Sequence, residues 1–179
     1  MNVHPIFVHF PIALLTVYAA LELIRSKKLL TSETFFYVKA AFVIIGTLTT
    51  SLALQTGESA QHTYERSSPV YALIHTHSAW ANITSIAFGI IAVIYGIIIL
   101  EKILFAENVF AHDFLMKIKN FWNPFSRIAH MLYENSIIMI ALALFGLAAV
   151  TITGSLGGAI VYGPDADPIV NAIYTFFMN

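Results

Sequence analysis

Apolar residues run in long unbroken blocks along the chain, with polar positions gathered between them. A helix needs about 20 apolar residues to cross the hydrocarbon layer. Four stretches meet that length, roughly 5–24, 37–57, 70–100 and 135–154. Arg25, Lys27 and Lys28 close the first, and Lys39 lies near the start of the second. Between the third and fourth, 101–134 mixes Lys102, Lys117, Lys119 and Arg127 with Phe105, Phe110, Phe114, Phe121, Trp122 and Phe125. Such a segment is too charged to span and too aromatic to float free, which predicts helices lying in the membrane interface. The apolar stretch 169–178 is only ten residues long, so it reads as a surface-lying or docking segment. The pattern predicts an all-α chain: one integral membrane domain over 1–179, a four-helix transmembrane bundle with an interfacial helical insertion between spans three and four.

Composition sharpens this. Of 179 residues, 58% are hydrophobic and 11% charged, and the mean hydropathy is +0.77. A soluble domain carries about 25% charge, so the lipid bilayer is the first partner expected. A net charge of −1 leaves no basic footprint for nucleic acid. The lack of cysteine excludes disulfides, thiolate metal sites, iron–sulfur clusters, covalent c-type haem and cysteine nucleophiles. No phosphate-binding glycine motif follows a strand pattern and no local Ser-His-Asp signature occurs, so a binding or electron-transfer protein is favoured over a stand-alone catalyst.

Lysine and arginine set the orientation. The connections after spans one and three hold Arg25, Lys27, Lys28, Lys39, Lys102, Lys117, Lys119 and Arg127, and the other side holds only Arg66. The basic side is expected to be cytoplasmic, which puts both termini outside, in the periplasm for a bacterial inner membrane. No positive charge precedes the first apolar block and no small-residue cleavage site stands out, so that block reads as a retained span.

The histidines do not follow the lysines. His112 and His130 fall on the basic side, whereas His4, His9, His62, His75 and His77 fall at the outer ends of the spans, together with Glu58. At 1.5 Å per residue, His9 sits roughly 6 Å below the outer boundary, with His4 and Glu58 near it and His62 roughly 6 Å above. Glu58 and His62 are spaced i,i+4 and share a helical face. His75 and His77 lie about 200° apart, so only one faces the interior. Ionisable groups in spans are costly and mark function. No span carries charges across its middle, which argues against a proton pump or ion-coupled transporter.

Three readings follow. In the first, His9 and one of His75 or His77 ligate b-type haem between facing helices, with room from Ala13, Gly46, Ala53, Ala79, Ala81, Gly89 and Ala149. In the second, Glu58 and His62 with His4, His75 or His77 hold an Fe, Zn or Cu ion. In the third, the protein is a structural membrane subunit whose histidines only tune an interface. A periplasmic cytochrome or other redox partner would accompany the first, and the pattern allows a homo-oligomer.

HPIFVHFPIALL at 4–15, TGESA at 56–60 followed by a histidine at the start of the third span, and TGSLGGAIVYG at 153–163 form a recognisable set. They resemble the bacterial membrane-protein family called domain of unknown function 2231 over all four spans, the long insertion 101–127 being the departure. The resemblance implies a four-helix inner-membrane protein and no established activity. Some relatives stand beside cytochrome c-type modules, which implies a redox setting. The motif positions it carries over are His4, His9, Glu58, His75 or His77, Gly157, Gly158 and Tyr162; in the haem reading Glu58 and Tyr162 would orient an imidazole N–H or a propionate.

Overall fold

The structure, a computed structural model, describes residues 4–62, 64–68, 70–104 and 113–178, with 4–6 and 113–120 described by their backbone alone. Phe105, Phe110 and His112 lie outside the described residues, as do the side chains of His4, Phe114, Lys117 and Lys119. Among the described residues the regular elements are helices: α1 (His4–Glu22), α2 (Lys27–Leu30), α3 (Glu33–Gln61), α4 (Val70–Leu104), α5 (Asp113–Glu134), α6 (Ser136–Tyr162) and α7 (Pro168–Met178). Three of them, α3, α4 and α6, are long and apolar enough to cross a membrane. The apolar described stretch of α1 is shorter, Phe7–Glu22.

Local chemistry sets the helix ends. The Ser32 side chain accepts from the Phe35 N–H at the start of α3, and Asn135 accepts from the N–H groups of Ile137 and Ile138 at the start of α6. Each satisfies donors that a first turn leaves orphaned. Asp167 does the same for α7, accepting from Ile169 and Val170 at 2.8 and 3.0 Å, with Pro168 as first helical residue. Gly163, at φ 90°, ends α6 in a backbone conformation that side chains disfavour.

Two helices run further than their patterns suggested. α3 continues through Gly57 to Gln61 and α6 continues about two turns beyond 154, taking in Gly157 and Gly158. A helical glycine costs only about 1 kcal/mol, and burial of Ser155, Leu156 and Ala159 on this stretch offsets it. In the insertion, α5 places Phe121, Phe125, Ile128 and Leu132 on one side and Asn123, Arg127, His130 and Glu134 on the other, as an interfacial helix requires. α7 buries Val170 against α6 and leaves Ile169 and Phe176 exposed.

The long helices form a ring in which α1 packs on α3 and α6, and α4 packs on the same two, so α1 and α4 stand on a diagonal. Tyr18 of α1 reaches across it, edge-on to Phe88 and Tyr95 of α4 at 6.2 and 6.0 Å between ring centres. Around them Leu15, Val43, Ile91 and Met139 are fully buried. Glycine permits close approach at two levels. A Cβ on Gly46 would lie 2.6 Å from Leu15 Cδ2, and one on Gly146 would lie 2.7 Å from Phe88 Cζ. Neither neighbour has room to retreat, since Leu15 and Phe88 are both 0% exposed.

Gly146→Val is therefore expected to destabilise the bundle by about 1–3 kcal/mol through overpacking. Gly89→Ala, where a Cβ meets nothing within 4 Å, serves as the neutral control. Thermal unfolding of both variants in detergent checks this.

Candidate functional site

The histidine-bearing end comes first. His9 is exposed, on the side of α1 roughly opposite the positions that bury Leu15, Tyr18 and Glu22. Glu58 is exposed in the last turn of α3, and His62 is exposed as its C-cap, its N–H bonded to the Glu58 carbonyl at 3.3 Å. His75 is exposed on α4, and Tyr162 is 80% exposed at the end of α6. Of the two α4 histidines, His77 turns inward. Its Nδ1 lies 2.9 Å from the Thr153 carbonyl of α6, and its Cε1 would be 3.2 Å from a Cβ on Gly157. Two turns further along α4, the Thr84 hydroxyl meets that of Thr153 at 3.1 Å. Gly158 faces Val170 of α7 instead.

The structure thus joins His77, Thr153 and Gly157 and leaves His9, Glu58, His62, His75 and Tyr162 apart from them. Among the described residues no group of three or more His, Asp or Glu side chains could hold a metal ion. Helix packing already fills much of the space that the small residues offered: Leu15 lies against Gly46, and Ala53 and Ala149 are buried. A ring held between His9 and His77 would need both to face one interior gap, and His9 faces out. Of His9, His62, His75 and His77, His77 is the one whose ring is oriented by another helix: a carbonyl can only accept, so Nδ1 carries the proton.

The opposite end holds a denser polar cluster. Glu22 and Lys39 form an ion pair at 2.9 Å with both side chains only 3% exposed. The same Glu22 oxygen accepts from the Tyr18 and Tyr95 hydroxyls at 3.2 and 3.3 Å. Arg25 pairs with the other oxygen at 3.3 Å and reaches Ser136 at the start of α6. Lys39 also sits over the rings of Phe35, Tyr95 and Tyr133, 5.3–5.8 Å from their centres. One carboxylate thereby ties α1 to α3, α4 and, through Arg25, α6. On α5, burial and then the Glu22 charge push the Tyr133 hydroxyl above its ordinary range. Beside this cluster, Ser126 donates to Glu101 and His130 Nε2 lies 2.8 Å from the same oxygen, pinning α5 to α4.

The pattern of spans pointed to the histidines and passed over Glu22. A signal was there. Glu22 and Lys39 stand at matching depths on either side of one short connection, so the hairpin brings them level.

Compared with family models, with curated proteins and with solved structures, the chain matches none.

Breaking a buried pair strands a charge and costs about 3–5 kcal/mol, whereas replacing both partners is far milder. Lys39→Met is expected to lose that much stability and the double variant Glu22→Gln/Lys39→Met to recover most of it. Thermal midpoints in detergent would show the difference, and equal losses would remove the coupling.

Proposed function

We propose that the protein is a four-span membrane subunit that works by contact rather than catalysis, its histidine-bearing end being the surface offered to a partner protein. The observation that carries this reading is the contrast between the two ends. At one end the Glu22–Lys39 pair is buried and satisfied by the Tyr18 and Tyr95 hydroxyls, and at the other His9, Glu58, His62 and His75 are exposed with no buried ion pair beside them among the described residues. From Trp80 to Glu101, α4 measures about 31 Å at 1.5 Å per residue, close to the hydrocarbon thickness of about 30 Å. α1 serves as the fourth span because it packs on α3 and α6 and its Glu22 lies level with Lys39. The basic end then faces the cytoplasm and both termini face the periplasm of a bacterial inner membrane.

The chain has no cysteine, so single cysteines report topology without background. Ser67→Cys, in the exposed connection before α4, is expected to react with a membrane-impermeant maleimide in intact cells. Ser26→Cys is expected to react only after the cells are opened, and the reverse pattern would invert the topology. For the contact surface, the triple change of His9, His62 and His75 to Ala should shift stability by no more than about 0.5 kcal/mol, as exposed substitutions do. It should also abolish chemical crosslinking of the outer end to its partner. Unchanged crosslinking would overturn the contact reading.

A second reading is favoured by one observation, the Nδ1 contact of His77 with the Thr153 carbonyl. Metal-ligating imidazoles commonly donate the other ring N–H to such a group. In this reading His77 is a ligand to b-type haem or to an Fe, Zn or Cu ion, the remaining ligands coming from the exposed histidines of a neighbouring chain or of a periplasmic redox partner. An absorption spectrum before and after dithionite, with elemental analysis of the same sample, tests it. A Soret band lost in His77→Ala would establish the haem form. A stoichiometric metal without that band would establish the ion form, and neither would leave the contact reading alone.

A further inference from the structure

Beneath α5 lies an apolar cleft of about 500 Å³ that runs along α4 from Ile86 to Ile97 and is covered by Phe125, Ile128 and Leu132. Gly89 forms part of its lining, and a Cβ there would meet nothing within 4 Å. Ile90, Val93, Phe125 and Ile128 are 47%, 60%, 47% and 53% exposed, so the cleft opens sideways. We propose that this cleft holds one acyl chain of a phospholipid from the leaflet on the lysine- and arginine-rich side. This rests on the membrane-spanning reading above and adds a specific lipid to it.

Length decides the occupant. Ile86 to Ile97 is about 16 Å of helix, half of a hydrocarbon layer of about 30 Å. A spanning helix from a second copy needs the full thickness. Its path along α4 would be blocked by α5, which Glu101 holds across the charged end of the cleft through Ser126 and His130. Counted from Glu101, the cleft begins about 6 Å and ends about 22 Å into the layer, so an acyl chain from that side enters it at Ile97 and ends near Ile90, close to mid-membrane. Charge agrees with the choice. Exposed Arg127 on the polar side of α5 stands at headgroup level, where a lipid phosphate would be drawn, and Lys102 stands at the same end, paired with Glu33 at 3.1 Å.

The test uses full-length protein in vesicles that contain phosphatidylglycerol with a diazirine on its acyl chain. Labelled peptides are mapped by mass spectrometry after irradiation, first in the vesicles and then after detergent extraction and gel filtration. In vesicles both the cleft and Leu48, 64% exposed on α3, are expected to be labelled. After extraction the Leu48 label should fall to background while the cleft label persists. Gly89→Leu should remove the persisting label and leave the thermal midpoint unchanged. Loss of both labels together on extraction would overturn the proposal and leave the spanning reading intact. So would efficient disulfide-linked dimers of Val93→Cys, which would put a second copy in the cleft. Absence of the Leu48 label in vesicles would overturn the spanning reading as well.

Discussion

One carboxylate fixes this bundle. In a low-dielectric interior, Glu22 is tolerable only if every charge and lone pair around it is answered. Tyr18, Lys39, Tyr95 and Arg25 answer it together. Because these donors stand on α1, α3 and α4, sliding any one helix by a residue would leave a buried charge short of partners. The cluster therefore acts as a register pin, and the hydrophobic contacts above it inherit that register. Leu15 meets Gly46 two turns away from the pin on both helices, and Phe88 meets Gly146 at a neighbouring level.

The two ends are consequently built on different physics. At the basic end, charge-assisted bonds hold the helices together, and aromatic rings pack against Lys39 and Lys102. At the other end no comparable pin is needed. Small residues and neutral bonds suffice there, with Thr84 on Thr153, His77 on the Thr153 carbonyl and Gly157 under the imidazole. Neutral hydrogen bonds contribute about 1 kcal/mol each, less than the charge-assisted bonds to Glu22 at the opposite end.

Sequence pattern gives depth well and azimuth poorly. The presence of α3, α4 and α6 followed from their apolar runs, though α3 and α6 extend past them, and the amphipathic character of α5 followed from its mixed aromatics and lysines. The histidines do share one end, yet depth alone made them look convergent. His75 and His77 differ by two residues, and only the packing of α4 on α6 decides which of them meets Thr153. Lys39 had the same limit. A lysine near the end of a span reads identically whether it snorkels outward or turns in to a carboxylate. The glycines at 157 and 158 allow either a turn or a close approach, and a glycine pair carries no sign of the neighbours, here His77 and Val170, that fill the space beside it.

α5 joins these themes. Its far edge is held by Glu101 through Ser126 and His130, and its end places Tyr133 against Phe36 and Tyr95 beside the Glu22 cluster. A helix fixed at that level cannot sink into the layer or lift away from it. Its apolar side must then lie over α4 with a gap beneath, because α4 presents Gly89 in that stretch rather than a side chain that would close it. In water such a gap would collapse or draw a partner. In a bilayer the solvent itself is made of chains of the right width, which is the physical reason the proposed occupant is a lipid chain and not a second protein.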